Sequence, residues 1–565
     1  MSVGGAIQYS QLPSCKVVLM LDYEKRCDYI RETADCNQMN SVGNYVEILY
    51  CNMNPNNDTE QILCSLVLMI ICLLIYLVLG CTVENVFCPA LKVVSKILGM
   101  NEHLAGVTLL AFGNGSPDLV GTFTDLDDPG MFPDLFGAAV FVVLLVGGLI
   151  CIFYPFEMEW NNILRDACFF SLGIIFVDYC TLSDAVITPR ESILILSVYI
   201  SYLFVIFMEQ FLLKQSIALM QSKMRDTKYA TVANLAKLDL LRAEAGIEIR
   251  DRTSLAAINL HKTRTMTFNA SLNSPNKDLR KQLFESLQPI NEEEWSDSNS
   301  AEKVYLILTA PVVLVLHLLI PVVDYEQERH GWSKLLNSLQ LPWLPLIIVY
   351  TLAKNVYLLG IPLCCYTLLL TVPTACYMLY STRTDLPPAY HEAMALYGAG
   401  GSVLIIYFCA TESDEILETI GMVTNRSNSF LDCTLQAWGN SISDLISILT
   451  LARHGYPRMG YAACFGGPFF NSITSLGGVF MYRTLHTGEA VQVMQGSLGE
   501  NCVIFLFIAT TSVLVWATLT NFSARRSIGV FNLILYAMFL TFIFLGELEI
   551  IETFAPEKEE ESTED

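Results

Sequence analysis

A chain of 565 residues that is 53% hydrophobic and only 16% charged, with mean hydropathy +0.45, is too apolar for a soluble globular fold and fits a multi-span membrane protein. Its formal net charge of −23 argues against nucleic acid as a partner, because phosphate binding needs clustered Lys and Arg. The 18 cysteines do not make a disulfide scaffold, since most lie in apolar stretches where a thiol packs as a small hydrophobe.

In chain order, residues 1–61 read as a polar extramembrane segment. It holds Cys15, Cys27, Cys36 and Cys51, which could close two disulfides in an oxidising compartment, with the pairing open. No zinc-type spacing accompanies them. Residues 1–14 have no Lys, no Arg and no apolar run, so neither a secretory signal nor a transit peptide is evident. The sequon Asn57-Asp58-Thr59 joins the cysteines in pointing to an outward or luminal segment, and so to a plasma membrane or endomembrane.

Residues 62–213 form a first transmembrane half. A span at 62–83 precedes a linker over 84–103, then an interrupted helix at 104–124 and an acidic loop with Asp125, Asp127, Asp128 and Asp134. Spans at 135–153, near 163–180 and at 192–213 complete a set of five. Residues 214–302 are a mixed-charge soluble loop expected to be regulatory, with helical periodicity over 230–249 and a loop-like stretch over 273–300. Lys214, Lys223, Arg225 and Lys228 place it on the cytoplasmic or matrix side. Arg250-Asp251-Arg252-Thr253-Ser254 within it reads as a solvated helix end in preference to a kinase site.

The second half, 303–551, starts with a span at 304–323. The stretch 342–380 is long for one span and cramped for two, and reading it as one tilted element keeps the halves inverted. Spans at 393–411, 430–451, 459–482, 500–520 and 529–549 repeat the rhythm of the first five, before an acidic, solvated tail at 552–565. The expected fold is an all-α polytopic membrane protein of two five-helix repeats, inverted, with broken helices at the midplane.

Two polar hexapeptides sit inside apolar helices: Gly113-Asn114-Gly115-Ser116-Pro117-Asp118 and Gly439-Asn440-Ser441-Ile442-Ser443-Asp444. Sliding 104–119 onto 430–445 pairs Thr108 with Thr434, Asn114 with Asn440 and Asp118 with Asp444, which makes them an internal repeat. Carboxylates at membrane depth are costly and functional by default, and paired interrupted helices point to a transporter's site. Each Asn lies one helical turn before its Asp, so the two share a face. Joining the halves assembles two carboxylates and two amide oxygens, a hard-oxygen set that Ca²⁺ accepts and that Na⁺ can use in turn. Carbonyls freed at Gly113, Gly439 and Pro117, and the hydroxyls of Thr108, Thr434, Ser116, Ser441 and Ser443, are further candidate donors. Asn471, in the small-residue helix after the second hexapeptide, offers another oxygen. The bland reading, in which each Asn–Asp pair only packs against a neighbouring helix, does not explain why the spacing occurs twice.

The motifs GNGSPDL (113–119) with LFGA (135–138), and WGNSISD (438–444) with LARHGYPRM (451–459) and CFGGPFFN (464–471), resemble the two alpha repeats of the cation/calcium exchanger superfamily. The likeness is to the branch of the mitochondrial sodium/calcium (or lithium) exchanger and covers nearly the whole chain. It implies antiport of Na⁺, with Li⁺ as an alternative, against Ca²⁺ without an added cofactor, in the mitochondrial inner membrane. The transport residues it implies are Asn114, Pro117, Asp118 and Gly137 in the first repeat and Asn440, Ser441, Asp444, Gly467 and Asn471 in the second. This chain departs from the pattern at Ser116 and Ser443, and at Asp432 and Gln436, which extend Asn440 and Asp444 into a ladder of four-residue steps. That ladder reads equally as an entry path, an accessory cation site or a polar patch against a neighbouring helix. The rivals are a proton-coupled or K⁺-linked cation/Ca²⁺ exchanger and, remotely, an intramembrane aspartyl protease, whose dyad shares a proton and does not need an Asn before each Asp. Enzymatic activity is not expected.

Overall fold

The computed structural model describes residues 15–551 except 34–35, 37–42, 125–130, 184–185, 225–228, 230, 246–278, 291–294, 297, 326, 353–355, 359, 425, 488–490 and 493–495. The acidic tail, Asp125, Asp127, Asp128 and the segment Arg250–Ser254 lie outside the described residues. A short N-terminal helix, α1 (Tyr23–Glu32), leads to a first set of five helices. These are α2 (Asp58–Leu98), α3 (102–124), α4 (131–153), α5 (Trp160–Ser183) and α6 (Pro189–Lys223). Next come α7 (Val232–Glu244), α8 (Leu279–Leu287), α9 (Ser300–Leu319), α10 (Lys334–Gln340), α11 (Trp343–Leu352) and α12 (Leu363–Ser381). The second set is α13 (Met394–Val423), α14 (428–453), α15 (457–487), α16 (Gly496–Leu519) and α17 (Arg526–Glu547). Among the described residues eight helices are long and apolar enough to cross a bilayer.

Several boundaries differ from the sequence reading. The expected linker at 84–103 is helix as far as Leu98, because Val83–Phe87 turns π-helical and carries Glu84 and Asn85 without ending the rod. The stretch 273–300 is not all loop but contains α8, whose Gln282 is buried and donates to the carbonyls of Trp332 at 2.8 Å and Thr384 at 3.1 Å. Within 342–380 the one helix of membrane length is α12; α11, at ten residues, is only about 15 Å long and packs against it. The span expected at 393–411 runs on to Val423 and takes Glu412, Asp414, Glu415 and Glu418 into the helix.

The repeat is visible in the backbone. Gly106–Leu110 and Asp432–Gln436 are both π-helical, and they coincide when Thr108 is laid on Thr434. Laying Phe136-Gly137 on Phe465-Gly466 superposes a second π-helical pair, Phe141–Val146 on Phe470–Ser475. In both α3 and α14 the irregular turn thus precedes the polar hexapeptide, which itself stays α-helical.

The equivalent helices α2 and α13 pack antiparallel. Leu68 and Cys72, early in α2, share a cluster with Ile416 and Leu417, late in α13. Val93 and Val94, late in α2, meet Met394 and Ala395 at the start of α13. Short strands follow the same exchange. β1 (Phe156–Glu157), between α4 and α5, pairs with β6 (Ser523–Ala524), between α16 and α17. β2 (Val186–Ile187), between α5 and α6, pairs with β5 (Val491–Gln492), between α15 and α16. A third pair, β3 (Tyr357–Leu358) with β4 (Ile361–Pro362), forms the hairpin before α12. A single large core joins both halves, with Phe136, Phe170, Tyr202 and Phe469 fully buried.

The N-terminal segment is fastened twice, by the disulfides Cys15–Cys36 and Cys27–Cys51. It seats on α2 and α13, where the Tyr45 hydroxyl donates to Glu412 Oε2 at 2.5 Å. At the opposite end His103, at the start of α3, is 3.1 Å from Asp166, which also accepts from Arg165 and Tyr202 and so ties α3 to α5 and α6.

Candidate cation site between the two halves

The hexapeptide helices meet in the middle of the bundle. Asn114 on α3 is 2% exposed and donates through Nδ2 to Asp444 Oδ1 on α14 at 2.9 Å. Ser447, one turn beyond Asp444, lies 3.0 Å from Asn114 Oδ1 and 2.6 Å from the Ser443 carbonyl, so its hydroxyl serves two acceptors. Asp118 accepts from Asn471 Nδ2 on α15 at 2.5 Å. Asn440 turns the other way and donates to Asp134 Oδ2 on α4 at 2.7 Å. Each of these Asn-to-Asp bonds joins one repeat to the other, and each is charge-assisted, worth about 1.5–3 kcal/mol. A Cβ on Gly439 would lie 3.9 Å from Asp414 Oδ1, so this α13 carboxylate stands beside the second hexapeptide.

The local backbone explains the pose. Pro117 has no amide proton, so the Gly113 carbonyl four residues earlier lacks its helical donor. Ser116 Oγ supplies one at 3.1 Å, and the carbonyl expected to be freed for a ligand is capped instead. Ser443 Oγ also reaches back to the Asn440 carbonyl, at 3.4 Å, although Asp444 keeps the amide proton that Pro117 lacks. The Thr108 and Thr434 hydroxyls bond back to Leu104 and Phe430 at 2.5 and 2.6 Å, and offer only their remaining lone pairs. Ser441 is buried and reaches the Ala138 carbonyl of α4 at 3.4 Å.

Gly137 marks the tightest crossing of α4 over α14: a Cβ there would lie 2.8 Å from Cys433 Cα and 2.9 Å from its carbonyl oxygen. A Cβ on Gly467 would stand 3.8 Å from Asp444 Oδ1, in ordinary contact, so this glycine lies beside the carboxylate without being demanded by packing. Asp432 and Gln436 belong to the π-helical stretch of α14. Asp432 is buried there at 7% exposure. Asn114, Asp118, Asp444 and Asn471 are brought together directly, and Asn440 and Ser441 face α4.

Three participants are not evident from the sequence. Asp134 falls in a loop by sequence but sits in the first turn of α4. Asp414 falls beyond the end of its expected span, and Ser447 does not stand out, although it follows Asn440 and Asp444 in register on α14. A signal exists for Asp134: it stands three residues before Gly137, at the mouth of an apolar helix. Among the described residues no three carboxylate, imidazole or thiol groups converge as a metal cage. The donor set is two carboxylates with carboxamides and hydroxyls.

Two homologous five-helix halves, with polar residues of one bonded to those of the other inside an apolar bundle, define a multi-pass membrane protein of the secondary-transporter class. The family model described as sodium/calcium exchanger protein matches residues 66–208 and 394–545. The mitochondrial sodium/calcium exchanger protein of Homo sapiens is 30% identical over 565 residues, covering 96% of this chain and 92% of that one. The protein of the same name from Mus musculus is 29% identical over 561 residues, covering 97% and 92%. This chain belongs to the sodium/calcium exchanger protein family. A solved structure of the sodium-calcium exchanger NCX_Mj is similar over 84% of this chain and 98% of that chain, at 12% identity and a TM-score of 0.41.

Proposed function

We propose that the chain is a secondary antiporter that exchanges Na⁺ for Ca²⁺ across a mitochondrial membrane, with Asp118 and Asp444 as the charged ligands. The observation that carries the site is the crossed bonding of Asn114 to Asp444 and Asn471 to Asp118, which brings both acids to one interior locus from opposite halves. Two carboxylates balance one Ca²⁺, and neutral amide oxygens from Asn114, Asn440 and Asn471 complete a flexible oxygen shell at ~2.3–2.6 Å. Na⁺ can use the same oxygens one ion at a time. Holding the charge at two acids keeps binding weak enough for release, as a carrier requires.

The antiparallel packing of α2 on α13, with the exchanged strand pairs, supports an inverted repeat. Inverted halves give the chain two nearly equivalent conformations, open to either side, which is the basis of alternating access. Pro117 and Gly467 shape the backbone beside the acids, Ser441 and Gly137 set the distance between α14 and α4, and Thr108, Thr434, Asp432 and Gln436 precede the acids on the same two helices as accessory donors. Li⁺ takes the place of Na⁺ in the same shell. Within 214–302, α8 bonds to the α9–α12 region and gives that stretch a route to regulate the bundle.

The test is flux in proteoliposomes. Wild-type protein is expected to drive Ca²⁺ uptake when Na⁺ or Li⁺ leaves and not when K⁺ does, and Asp118→Asn and Asp444→Asn are each expected to abolish it. Retained sodium-dependent flux in either variant removes that carboxylate from the site.

A further inference from the structure

The repeat is symmetric in sequence at Asn114/Asn440 and Asp118/Asp444 but not in bonding. Asn114 is held by Asp444 and by Ser447. The matching partners for Asn440 would be Asp118 and Gly121. Gly121 has no hydroxyl, and Asp118 is already taken by Asn471, whose counterpart in α4 is Val142. Asn440 therefore lacks both supports that its twin enjoys. What it has instead is Asp134, 2.7 Å away, at the position whose counterpart in α15 is Ala463. Three asymmetric substitutions in the repeat, Asn471 for Val142, Ser447 for Gly121 and Asp134 for Ala463, thus compensate one another.

We propose that Asp134 is a positioning residue that sets the orientation of the Asn440 carboxamide. An amide has one end that donates and one that accepts, and only the oxygen can bind a cation. With its nitrogen tied to the Asp134 carboxylate, Asn440 has only its oxygen to offer the ion. Asp134 is well placed for this role. It sits in the first turn of α4, where the helix dipole stabilises its negative charge, and it is half-buried, so the bond is shielded. Its acidity acts through Asn440 and not as a third ligand.

This inference rests on the antiporter reading, and its test separates the two. In proteoliposomes Asp134→Ala is expected to raise the half-saturating Ca²⁺ concentration about tenfold with little change in maximal rate. Asp134→Asn, which keeps a neutral acceptor oxygen, restores most of the affinity. Combining Asp134→Ala with Asn440→Ala is expected to cost no more than Asn440→Ala alone. The same cycle is read without turnover, as the Ca²⁺-induced rise in melting temperature of purified protein, so an inactive wild type fails the transport reading and still leaves this one decided. Additive effects of the two substitutions overturn the proposal. So does Asp134→Asn losing as much as Asp134→Ala, which makes Asp134 a charged ligand in its own right.

Discussion

Substitution of Gly115 by Ala probes the centre of the site without removing any ligand. A Cβ at Gly115 would overlap Asn471 Oδ1, lie 2.9 Å from Phe470 Cδ1 and lie 3.0 Å from Asn471 Cγ. Asn471 must move, and its bond to Asp118 is lost with it. Overpacking costs about 1–3 kcal/mol, and the charge-assisted bond about 1.5–3 kcal/mol. Replacing a helical glycine returns about 1 kcal/mol, so the net loss is about 1.5–5 kcal/mol. The part that falls on the Asn471–Asp118 bond weakens apparent Ca²⁺ affinity by about 10- to 100-fold, at 1.4 kcal/mol per tenfold. Sodium-driven Ca²⁺ flux and melting temperature, measured side by side, separate the site effect from the packing effect. Gly80→Ala is the control, because a Cβ there meets nothing within 4 Å. Wild-type affinity in Gly115→Ala would show that Asn471 is free to move without consequence, and the crossed-bond geometry would then not describe the working site.

Ser447→Ala removes a hydroxyl shared between Asn114 and the Ser443 carbonyl, and is expected to weaken Ca²⁺ affinity about threefold to tenfold; an unchanged titration would mean Asn114 is oriented by Asp444 alone. Reducing Cys15–Cys36 or Cys27–Cys51, which close loops of 21 and 24 residues, is expected to cost about 3 kcal/mol each. The melting temperature should fall on adding reductant and recover on reoxidation. In the segment before α13, burial holds the His391 imidazole below its usual range, against the opposing pull of its bond to the His330 carbonyl. A histidine kept neutral in the fold contributes stability that is complete above its unfolded pKa of about 6.5 and lost as pH falls through its lower folded value. Melting temperature is therefore expected to drop on acidification in wild type and less steeply in His391→Gln.

Composition alone marks six of the repeat helices as long apolar runs, because the bilayer leaves few other ways to satisfy a spanning backbone, whereas α3, α5, α14 and α15 are too interrupted by polar residues to meet that measure among the described residues. The duplicated Asn-x-x-x-Asp spacing is equally legible, since it needs no knowledge of neighbours. Residues such as Glu84 and Glu412 look like the ends of spans, yet both continue the helix: a charge in a local window cannot reveal that another helix or the N-terminal segment will cover it. The hexapeptides look like helix breaks, whereas the irregular turn falls one turn earlier and the Gly113 carbonyl is capped by Ser116.

Which side chains are acidic, how they are spaced and that they occur twice can be read along the chain, because those are properties of a single helix. Tertiary structure decided who bonds to whom. Asn114 reaches Asp444, yet its twin Asn440 reaches Asp134, since the choice depends on which helices cross, at what angle and with which small residues between them. A symmetric pair of motifs can be read along the chain; the asymmetry that distinguishes them exists only where the two halves touch.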